Sequence, residues 1–432
     1  MATVALLGTC DTKLQELLFL RSQILAHDGV HVLMIDVGRK PVSHEAIAIS
    51  QVELVSEYGS QPPARSLSLP RNDLVNFMSS CATKVLRALF AAGRIHGVIS
   101  AGGSCGTSIA APAMRAALPI GFPKLMVSTV ASGDTGPYVG EADIAMVYSV
   151  VDIAGLNSVL RDVFANAAAS IAAMALGYAA RRTQSSSSFP AKAKKRIAIT
   201  MFGVTTPAVD VIRKCLPDSE YEVLVFHATG HGGRAMERLI RDGEVDGVID
   251  LTTTEVCDLM VPGGVMSAGP GRLSAAAEAG IPCVVSVGAT DMVNFGPKET
   301  VPERYSGRKL YVHNPAVTLM RVDAEEATKV GEFIAEKLKG SKNKEKVEVW
   351  LPRGGVSVMS KAGGVFEDRD VDTVLFRTIT TALNGSGIRV IEDEMDVNDE
   401  GFARAIAKAM TELLAGVVDG MLNRAPVQKL LD

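Results

Sequence analysis

The same succession of short segments occurs twice in this chain. The first half contains, in order, VALLGTCDT, HVLMIDVG, AAGRIHGVIS and GFPKLMVSTVASGDT. The second half contains, in the same order, IAITMFGVTTP, EVLVFHATG, RDGEVDGVID and GIPCVVSVGATDM. Each segment is a short apolar run that ends in small or polar residues, as a buried strand followed by a turn does. The sequence therefore predicts two domains of similar layout.

Helical segments separate these predicted strands, for example KLQELLFLRSQILAHDG, ATKVLRALFAAG and GRAMERLIRDG. Alternation of strands and helices is typical of parallel sheets that are covered by helices on both faces. We therefore predict two doubly wound α/β domains, residues 1–182 and 196–432. The segment 183–195 ends in SSSSFPAKAKK and is predicted to be an exposed linker.

Composition and charge exclude several function classes. The chain has 432 residues, of which 47% are hydrophobic and 21% charged, so it can bury a large core. Its net charge of -4 argues against general binding to nucleic acids or to anionic membranes. The six cysteines are scattered without a CxxC pair, and the N-terminus lacks the features of a signal peptide. We expect a cytoplasmic protein with reduced thiols.

One uncharged run, VFANAAASIAAMALGYAA, approaches the length of a membrane span. It is mostly alanine, contains Asn166 and lies between Asp162 and Arg181. We therefore predict a buried helix whose small residues allow close packing, and we expect no membrane partner.

Polar loops follow the predicted strands of the first half. They are GTCDTK, DVGRK, AGGSCGTS and TVASGDTG. In open parallel sheets, ligands bind beyond the carboxyl ends of the strands, close to the point where the strand order reverses. The loops should therefore lie along one edge of the sheet and form a ligand site there.

The loop AGGSCGTS is the first candidate for an anion site. Gly102 and Gly103 would let a ligand approach the backbone, and Ser104, Thr107 and Ser108 would donate hydroxyl hydrogen bonds. A helix that begins at Gly106 or Thr107 would present free amides and a positive dipole end to a phosphate. The alternative is a glycine turn with a serine or threonine helix cap. The chain has neither a Walker P-loop nor a GxGxxG fingerprint.

Two further loops supply candidate nucleotide ligands. In TCDTK, Thr9 and Thr12 would bond phosphate oxygens, Lys13 would neutralise charge, and Asp11 would bind Mg²⁺ or else cap a helix. In ASGDTG, the candidates that contact a nucleotide are Ser132, Gly133 and Thr135. Asp134 would hold a ribose hydroxyl or a metal-bound water, unless this segment is an ordinary turn. Asp36 ends the second strand, where it either meets a ribose or serves as a turn or cap residue.

The second half allows a different function. His227, His231, Glu255 and Asp291 could serve as acid and base groups between the halves, acting on a small phosphorylated or carboxylated metabolite. The two histidines also raise the alternative of a zinc site, although no recognised metal motif is present. The segment GHGGRAME offers a second candidate anion site or a plain glycine turn. No GxSxG nucleophile motif occurs.

Longer motifs carry a family resemblance. The segments TMFGVTTP, VLVFHATGHGGRAME, TTTEV, SVGATDMVNFGPK and STVASGDT closely resemble the Tm-1-like family (UPF0261), and the resemblance covers nearly the whole chain. It implies two Rossmann-like domains, binding of ATP with Mg²⁺, and a homodimer. The positions that lie in shared motifs are Thr9, Asp11, Thr12, Lys13, Gly102, Gly103, Ser104, Gly106, Thr107, Ser132, Gly133 and Thr135.

Plant members of the family continue into a TIM-barrel domain. This chain stops at Asp432 without that barrel, so we expect either a stand-alone form or a truncated linker at its end. No residue pattern identifies a catalytic base or a water-orienting group. The expectation is therefore an ATP-binding protein, with hydrolysis left open.

Overall fold

The chain divides into two compact units, Met1–Ala191 and Lys192–Asp432. The computed structural model describes residues 1–60, 68–185 and 194–416. Within the segment predicted as a linker, a helix extends through Ser185 and a strand begins at Lys195. Residues 186–193 of that predicted linker, and the terminal segment 417–432, lie outside the described residues.

The first unit contains a six-stranded parallel sheet with helices on both faces. Its strands are β1 (Ala2–Gly8), β2 (Val30–Asp36), β3 (Ile47–Ile49), β4 (Gly97–Gly102), β5 (Lys124–Ser128) and β6 (Ala145–Tyr148). Its helices are α1 (Cys10–Leu25), α2 (Gln51–Tyr58), α3 (Arg71–Ala91), α4 (Ser104–Ala117), α5 (Gly136–Val139) and α6 (Ser158–Ser185). The strand order is β3-β2-β1-β4-β5-β6, which is the order of the Rossmann fold. The predicted fold class is confirmed.

Alternating side chains of the central strands supply the cores on the two faces of this sheet. On one face, Leu7 and Val98 belong to a cluster with Met114 of α4. On the other face, Leu6 belongs to a cluster with Phe164 of α6. Because both faces are covered, the strand ends are where the sheet is open to a ligand.

The alanine-rich run forms part of α6. Phe164, Ala168 and Ile171 on this helix are buried in the core, whereas Ala169 and Ala173 are exposed. The prediction of a buried helix is thus correct for one face only. By length and composition, α6 is the one helix within the described residues that could cross a membrane, and 33% of its most apolar window is buried.

The second unit has a similar parallel sheet and an additional small one. Its strands are β7 (Lys195–Met201), β8 (Tyr221–His227), β9 (Gly247–Thr252), β10 (Cys283–Gly288), β11 (Met292–Phe295), β12 (Leu310–Asn314), β13 (Val317–Arg321), β14 (Val347–Pro352) and β15 (Arg389–Asp393). Its helices are α7 (Thr206–Cys215), α8 (His231–Arg241), α9 (Thr254–Met260), α10 (Ser274–Ala279), α11 (Ala324–Lys339), α12 (Arg369–Leu383) and α13 (Glu400–Ala415).

The parallel sheet of this unit has the order β15-β14-β10-β9-β7-β8. Strands β11, β13 and β12 form a separate antiparallel sheet that the sequence did not predict. Both units are doubly wound α/β structures, as predicted.

Candidate functional site

The strand order of the first unit reverses between β1 and β4. The chain builds β1, β2 and β3 outward in one direction and then crosses to β4, β5 and β6 on the other side. This switch point is where open α/β sheets bind ligands. The three predicted segments, 9–13, 102–107 and 132–135, follow the carboxyl ends of β1, β4 and β5. The structure therefore places all three at one edge of the same sheet.

The turn between β4 and α4 is tight. Gly102 ends the strand, Gly103 is the N-cap residue, and α4 begins at Ser104, two or three residues earlier than predicted. A Cβ atom on Gly102 would lie 3.2 Å from the Cα atom of Gly106, which is tighter than most Cβ contacts, so a larger residue would push the strand and the helix slightly apart. Glycine at position 102 thus suits this packing, independently of any ligand.

The start of α4 has no cap from the described side chains, because its N-cap residue is a glycine. Ser104 is exposed, and Cys105 and Gly106 are half-buried. No atom of the described residues would lie within 4 Å of a Cβ atom placed on Gly106. The space beside Gly106 at the start of the helix is therefore open, and the helix dipole favours an anion there.

Thr107 does not point to this open space. It is fully buried, and its hydroxyl donates to the carbonyl oxygen of Gly103 at 2.9 Å. Its Oγ1 atom also lies 2.7 Å from the Oγ atom of Ser128 at the end of β5. The predicted phosphate ligand is therefore a residue that joins the turns after β4 and β5.

A cavity of about 640 Å³ lies beside the start of α4. Helix α3 contributes Arg71, Asn72 and Asn76, helix α4 contributes Ser104 and Ser108, and α5 contributes Tyr138. The Nη2 atom of Arg71 is 3.2 Å from the Sγ atom of Cys105. A guanidinium group thus stands next to the free helix end. None of the α3 residues was predicted from the sequence, because only the fold brings the start of α3 to the start of α4.

At the start of α1, a protein carboxylate takes the place that an anion would occupy. Asp36 is fully buried, and its Oδ1 atom accepts hydrogen bonds from the amides of Cys10 at 3.1 Å and Gly38 at 2.8 Å. Burial raises the pKa of Asp36 above its usual value. The cap interpretation of Asp36 therefore fits its contacts better than the ribose interpretation.

Asp11 holds the loop that follows β2. Its Oδ2 atom accepts the amides of Arg39 and Lys40, both at 3.1 Å. Strand β2 pairs with β1 on the side opposite β4, so this carboxylate is turned away from the start of α4. These contacts favour a role in holding the loop over one as a magnesium ligand for a phosphate bound at α4.

The other three candidates after β1 also have partners within the protein. Lys13 Nζ donates to the carbonyl oxygen of Ile153 in the loop that follows β6. Thr12 donates to the carbonyl oxygen of Thr9 at 3.3 Å, and the two hydroxyl oxygens are 3.1 Å apart. The predicted residues therefore divide into two groups. After β1, Asp11 and Lys13 hold neighbouring loops, while Thr9 and Thr12 bond each other within the first turn of α1. The turn after β4 is open.

The loop after β5 contains an ordinary turn at Asp134, whose Oδ1 atom accepts the amide of Gly136 at 2.9 Å. Thr135 is the N-cap residue of α5, and its carbonyl oxygen accepts the amide of Tyr138 at 3.0 Å. Ser132 and Gly133 are exposed on this loop. Thr135 thus helps to place α5, which carries Tyr138 to the cavity.

In the second unit, a carboxylate of the protein already occupies the anion position at the start of α8. Glu255 Oε1 accepts the amides of Gly230 at 2.6 Å and Gly233 at 3.1 Å. Arg234, the cation of the predicted anion site, donates to the carbonyl oxygen of Ser267 at 2.9 Å. The glycine-turn alternative for GHGGRAME agrees with these contacts, because a carboxylate of the protein occupies the anion position.

Glu255 belongs to a buried ionic cluster around Arg272. The guanidinium donates to Glu255 Oε2 at 2.7 Å and to both oxygens of Asp250 at 2.5 Å. Glu237 Oε1 lies 3.5 Å from Arg272 Nη1. Burial raises the pKa of Glu237, and the surrounding carboxylates raise that of Arg272 despite its burial. Glu255 is therefore a structural residue that solvent does not reach.

The remaining candidates of the second unit do not form an acid–base or zinc site. Asp291 is fully buried, accepts the Ser357 hydroxyl at 2.8 Å, and has its pKa raised by burial to about 7. His227 stacks on Phe202 with ring centroids 5.4 Å apart. His231 Nδ1 is 3.0 Å from Arg234 Nη2. Within residues 1–60, 68–185 and 194–416, no group of three or more His, Cys, Asp or Glu residues could hold a metal ion.

Comparison with solved structures gives only a weak likeness. MurG of Acinetobacter baumannii matches 97% of this chain and 98% of its own, at 13% sequence identity and a TM-score of 0.22. This value is too low to support an argument about function.

Sequence comparison is far more specific. The chain matches the UPF0261 N-terminal domain over residues 2–180 and the UPF0261 C-terminal domain over residues 194–414. A UPF0261 protein of Clostridium tetani is 44% identical over 95% of this chain and 98% of its own length. The ToMV resistance protein Tm-1(GCR237) of Solanum lycopersicum is 39% identical over 94% of this chain, which corresponds to 55% of the tomato protein. This chain therefore belongs to the family described as Uncharacterised protein family (UPF0261).

Proposed function

We propose that this protein binds ATP, accompanied by Mg²⁺, at the start of α4 in its first unit. The observation that carries the proposal is the uncapped helix end at Ser104, which lies at the switch point of a Rossmann-ordered sheet beside a cavity of about 640 Å³. ATP is the ligand that the family resemblance led us to expect. The structural argument concerns where its phosphates would bind.

The contacts of the two helix starts favour α4 over α1. At α1, the carboxylate of Asp36 accepts the amide of Cys10 and so already supplies the negative charge. At α4, the space beside Gly106 is open, and Arg71 stands beside Cys105. A phosphate chain would receive hydrogen bonds from the first amides of α4 and from Ser104, and the guanidinium would neutralise part of its charge.

We propose fewer phosphate-binding residues than the sequence predicted. Gly102 and Gly103 shape the turn, while Ser104 and the amide of Gly106 face the phosphates. Ser132 and Gly133 remain proposed contacts on the exposed loop after β5. We assign no protein ligand to Mg²⁺, because Asp11 holds the loop after β2; the cation would be held through the phosphates of ATP.

Gly106→Glu tests the proposal. The added side chain would enter open space at the third position of α4, where a glutamate favours helix formation. We expect the variant to be folded and at least as heat-stable as the wild type. We expect it to lose Mg·ATP binding in isothermal titration calorimetry, because its carboxylate repels the phosphates.

Gly203→Glu is the matched control. Gly203 follows β7 in the second unit, and a Cβ atom there would also meet no atom of the described residues within 4 Å. This variant should bind ATP as the wild type does. A Gly106→Glu protein with wild-type affinity, or a wild type that binds no Mg·ATP, would refute the proposal.

The same proposal includes the homodimer that the resemblance implies. Light scattering on the purified full chain, with and without Mg·ATP, measures the assembly state directly. A monomer under both conditions would remove the dimer from the proposal and leave the nucleotide site unaffected.

A further inference from the structure

We infer that a cavity in the second unit binds the ammonium group of a small organic amine, with Asp372 as its counter-ion. The cavity has a volume of about 350 Å³ and lies where β14 and β15 end. Gly354 follows the first of these strands and Glu394 follows the second. The cavity is therefore at the carboxyl edge of the sheet, where doubly wound units bind ligands. This inference does not depend on ATP binding in the first unit.

Asp372 brings an unpartnered oxygen atom to the cavity. It lies in the first turn of α12, lines the cavity and is 3% exposed. Its Oδ1 atom accepts a hydrogen bond at 2.6 Å from Nη2 of Arg321, which does not line the cavity. Its Oδ2 atom is buried and has no hydrogen-bond partner among the described residues. Because buried polar groups in folded proteins are almost always satisfied, this oxygen indicates a donor that the protein itself does not supply.

Two arginines also line the cavity, but the charge of each is already engaged. Arg353 Nη1 lies 3.3 Å from Glu392 Oε2, and Arg353 Nε lies 3.6 Å from Glu394 Oε1. Arg369 donates to the carbonyl oxygen of Gly354 at 2.7 Å and to that of Arg353. An anion in this cavity would therefore have to displace existing partners of the protein.

The start of α12 does not offer an anion site either. Asp368 is the N-cap residue of this helix, and its carboxylate accepts the amide of Val371 at 3.2 Å. Asp370 adds a second negative charge in the first turn. Among the described residues, the cavity lacks a donor for Asp372 Oδ2, so the ligand that suits it is a cation that can donate a hydrogen bond.

The surroundings favour an organic cation over a metal ion. A divalent metal ion takes several oxygen ligands at once, and the described part of the chain has no group of three or more His, Cys, Asp or Glu residues that could hold one. An ammonium group needs only one carboxylate, because its other N–H groups can donate to water. The ring of Phe376, which lines the cavity and is 5% exposed, offers an apolar surface to the carbon atoms of the ligand. A primary amine with a short apolar body satisfies both features.

Titration calorimetry on the full chain with three probes tests this inference. The probes are n-butylammonium, n-butanol and butyrate, which have similar carbon chains and differ in their end group. Asp372→Asn keeps the shape of the side chain and an acceptor for Arg321, but removes the negative charge. Thr373→Lys places a tethered ammonium group on an exposed residue of the cavity lining. Thr381→Lys is the matched control, because Thr381 is also exposed on α12 but lies outside that lining.

We expect the wild type to bind n-butylammonium, and to bind n-butanol and butyrate about tenfold more weakly or worse. Asp372→Asn and Thr373→Lys should each weaken binding of the amine by about tenfold or more, whereas Thr381→Lys should bind it as the wild type does. Potassium chloride at the same concentration should give no binding signal.

Three results would overturn the inference. They are a wild type that does not bind the amine, a wild type that binds n-butanol equally well, and wild-type affinity for the amine in Thr373→Lys. If Asp372→Asn does not fold, Thr373→Lys alone decides, because its replacement is at an exposed helical position. Titration of the same variants with Mg·ATP should give the wild-type result, so a failure of the amine site leaves the proposed ATP site unaffected.

Discussion

Arg272 Nε lies 2.7 Å from Glu255 Oε2, and both side chains are almost completely buried. Through its other oxygen, Glu255 accepts the amides of Gly230 and Gly233 at the start of α8. The pair therefore fixes the loop after β8 to the residues that follow β9. A Cβ atom on Gly233 would lie 2.1 Å from Glu255 Oε2, so the carboxylate and this helix fit together only with glycine at that position.

Replacing Arg272 with methionine should destabilise the second unit strongly. The change leaves Asp250, Glu255 and Glu237 buried without their shared cation, and breaking a buried ion pair in this way costs about 3–5 kcal/mol. The chain contains a single tryptophan, Trp350 in β14, so its fluorescence during urea unfolding reports on this unit. Arg404→Met is the control, because the Arg404–Glu400 pair is exposed on α13 and should contribute little. An Arg272→Met protein that unfolds at the same urea concentration as Arg404→Met would contradict this account.

Replacing Val150 with glycine should stabilise the first unit. Val150 has φ 65° and is 58% exposed. It is the central residue of a tight turn in which the amide of Val151 donates to the carbonyl oxygen of Ser149 at 2.7 Å. A left-handed conformation costs an L-residue roughly 1–2 kcal/mol, and glycine avoids this cost but has a more flexible unfolded chain. We expect the free energy of unfolding of the first unit to rise by roughly 1 kcal/mol. Native-state hydrogen exchange of the amides in β5 and β6 measures this change. Val159→Gly is the control, because Val159 is an exposed valine in helix α6 and its replacement should lower the stability of the unit. If both variants are less stable than the wild type, the turn at Val150 is unstrained.

The fold could be predicted because its signals are local. Each buried strand, such as Gly97–Gly102, is a continuous apolar run followed by a glycine or hydroxyl-bearing turn. One strand of the antiparallel sheet, Leu310–Asn314, gave no signal because it is mostly exposed and has no buried face to impose a period on the sequence. The start of α4 was placed too late, since a glycine N-cap gives a weaker signal than serine, asparagine or aspartate.

The site could be predicted only in outline. Loop composition indicates which edge of the sheet is polar, and the residues 9–13 and 102–107 do lie at that edge. Composition does not show which polar groups already have partners in the protein. Asp11 is hydrogen-bonded to residues 28 and 29 positions away, and Thr107 to Ser128, 21 positions away. Such pairings depend on the packing of distant segments, so one sequence cannot distinguish a ligand-binding aspartate from one that holds a loop.

Asp291 makes the stability of the second unit dependent on pH. Burial raises its pKa from about 3.8 to about 7, even though Arg321 lies nearby and the Ser357 hydroxyl donates to its carboxylate. Asp372, which Arg321 contacts at 2.6 Å, opposes ionisation of Asp291 further. The folded protein therefore binds a proton at Asp291 at pH values where the unfolded chain has released it.

The sign of this effect follows from proton linkage. Between about pH 4 and pH 7 the folded state holds more protons than the unfolded state, so the free energy of unfolding falls as the pH rises through this range. Asn at position 291 has no proton to lose and can still accept the Ser357 hydroxyl. We therefore expect Asp291→Asn to lose less stability than the wild type between pH 5 and pH 8, by a difference of roughly a few kcal/mol at most. Urea unfolding followed by Trp350 fluorescence at both pH values measures it, and equal pH slopes for the two proteins would show that Asp291 is ionised in the folded state. Asp258, whose pKa is also raised to about 7 by burial, contributes the same slope to both proteins and so cancels in the comparison.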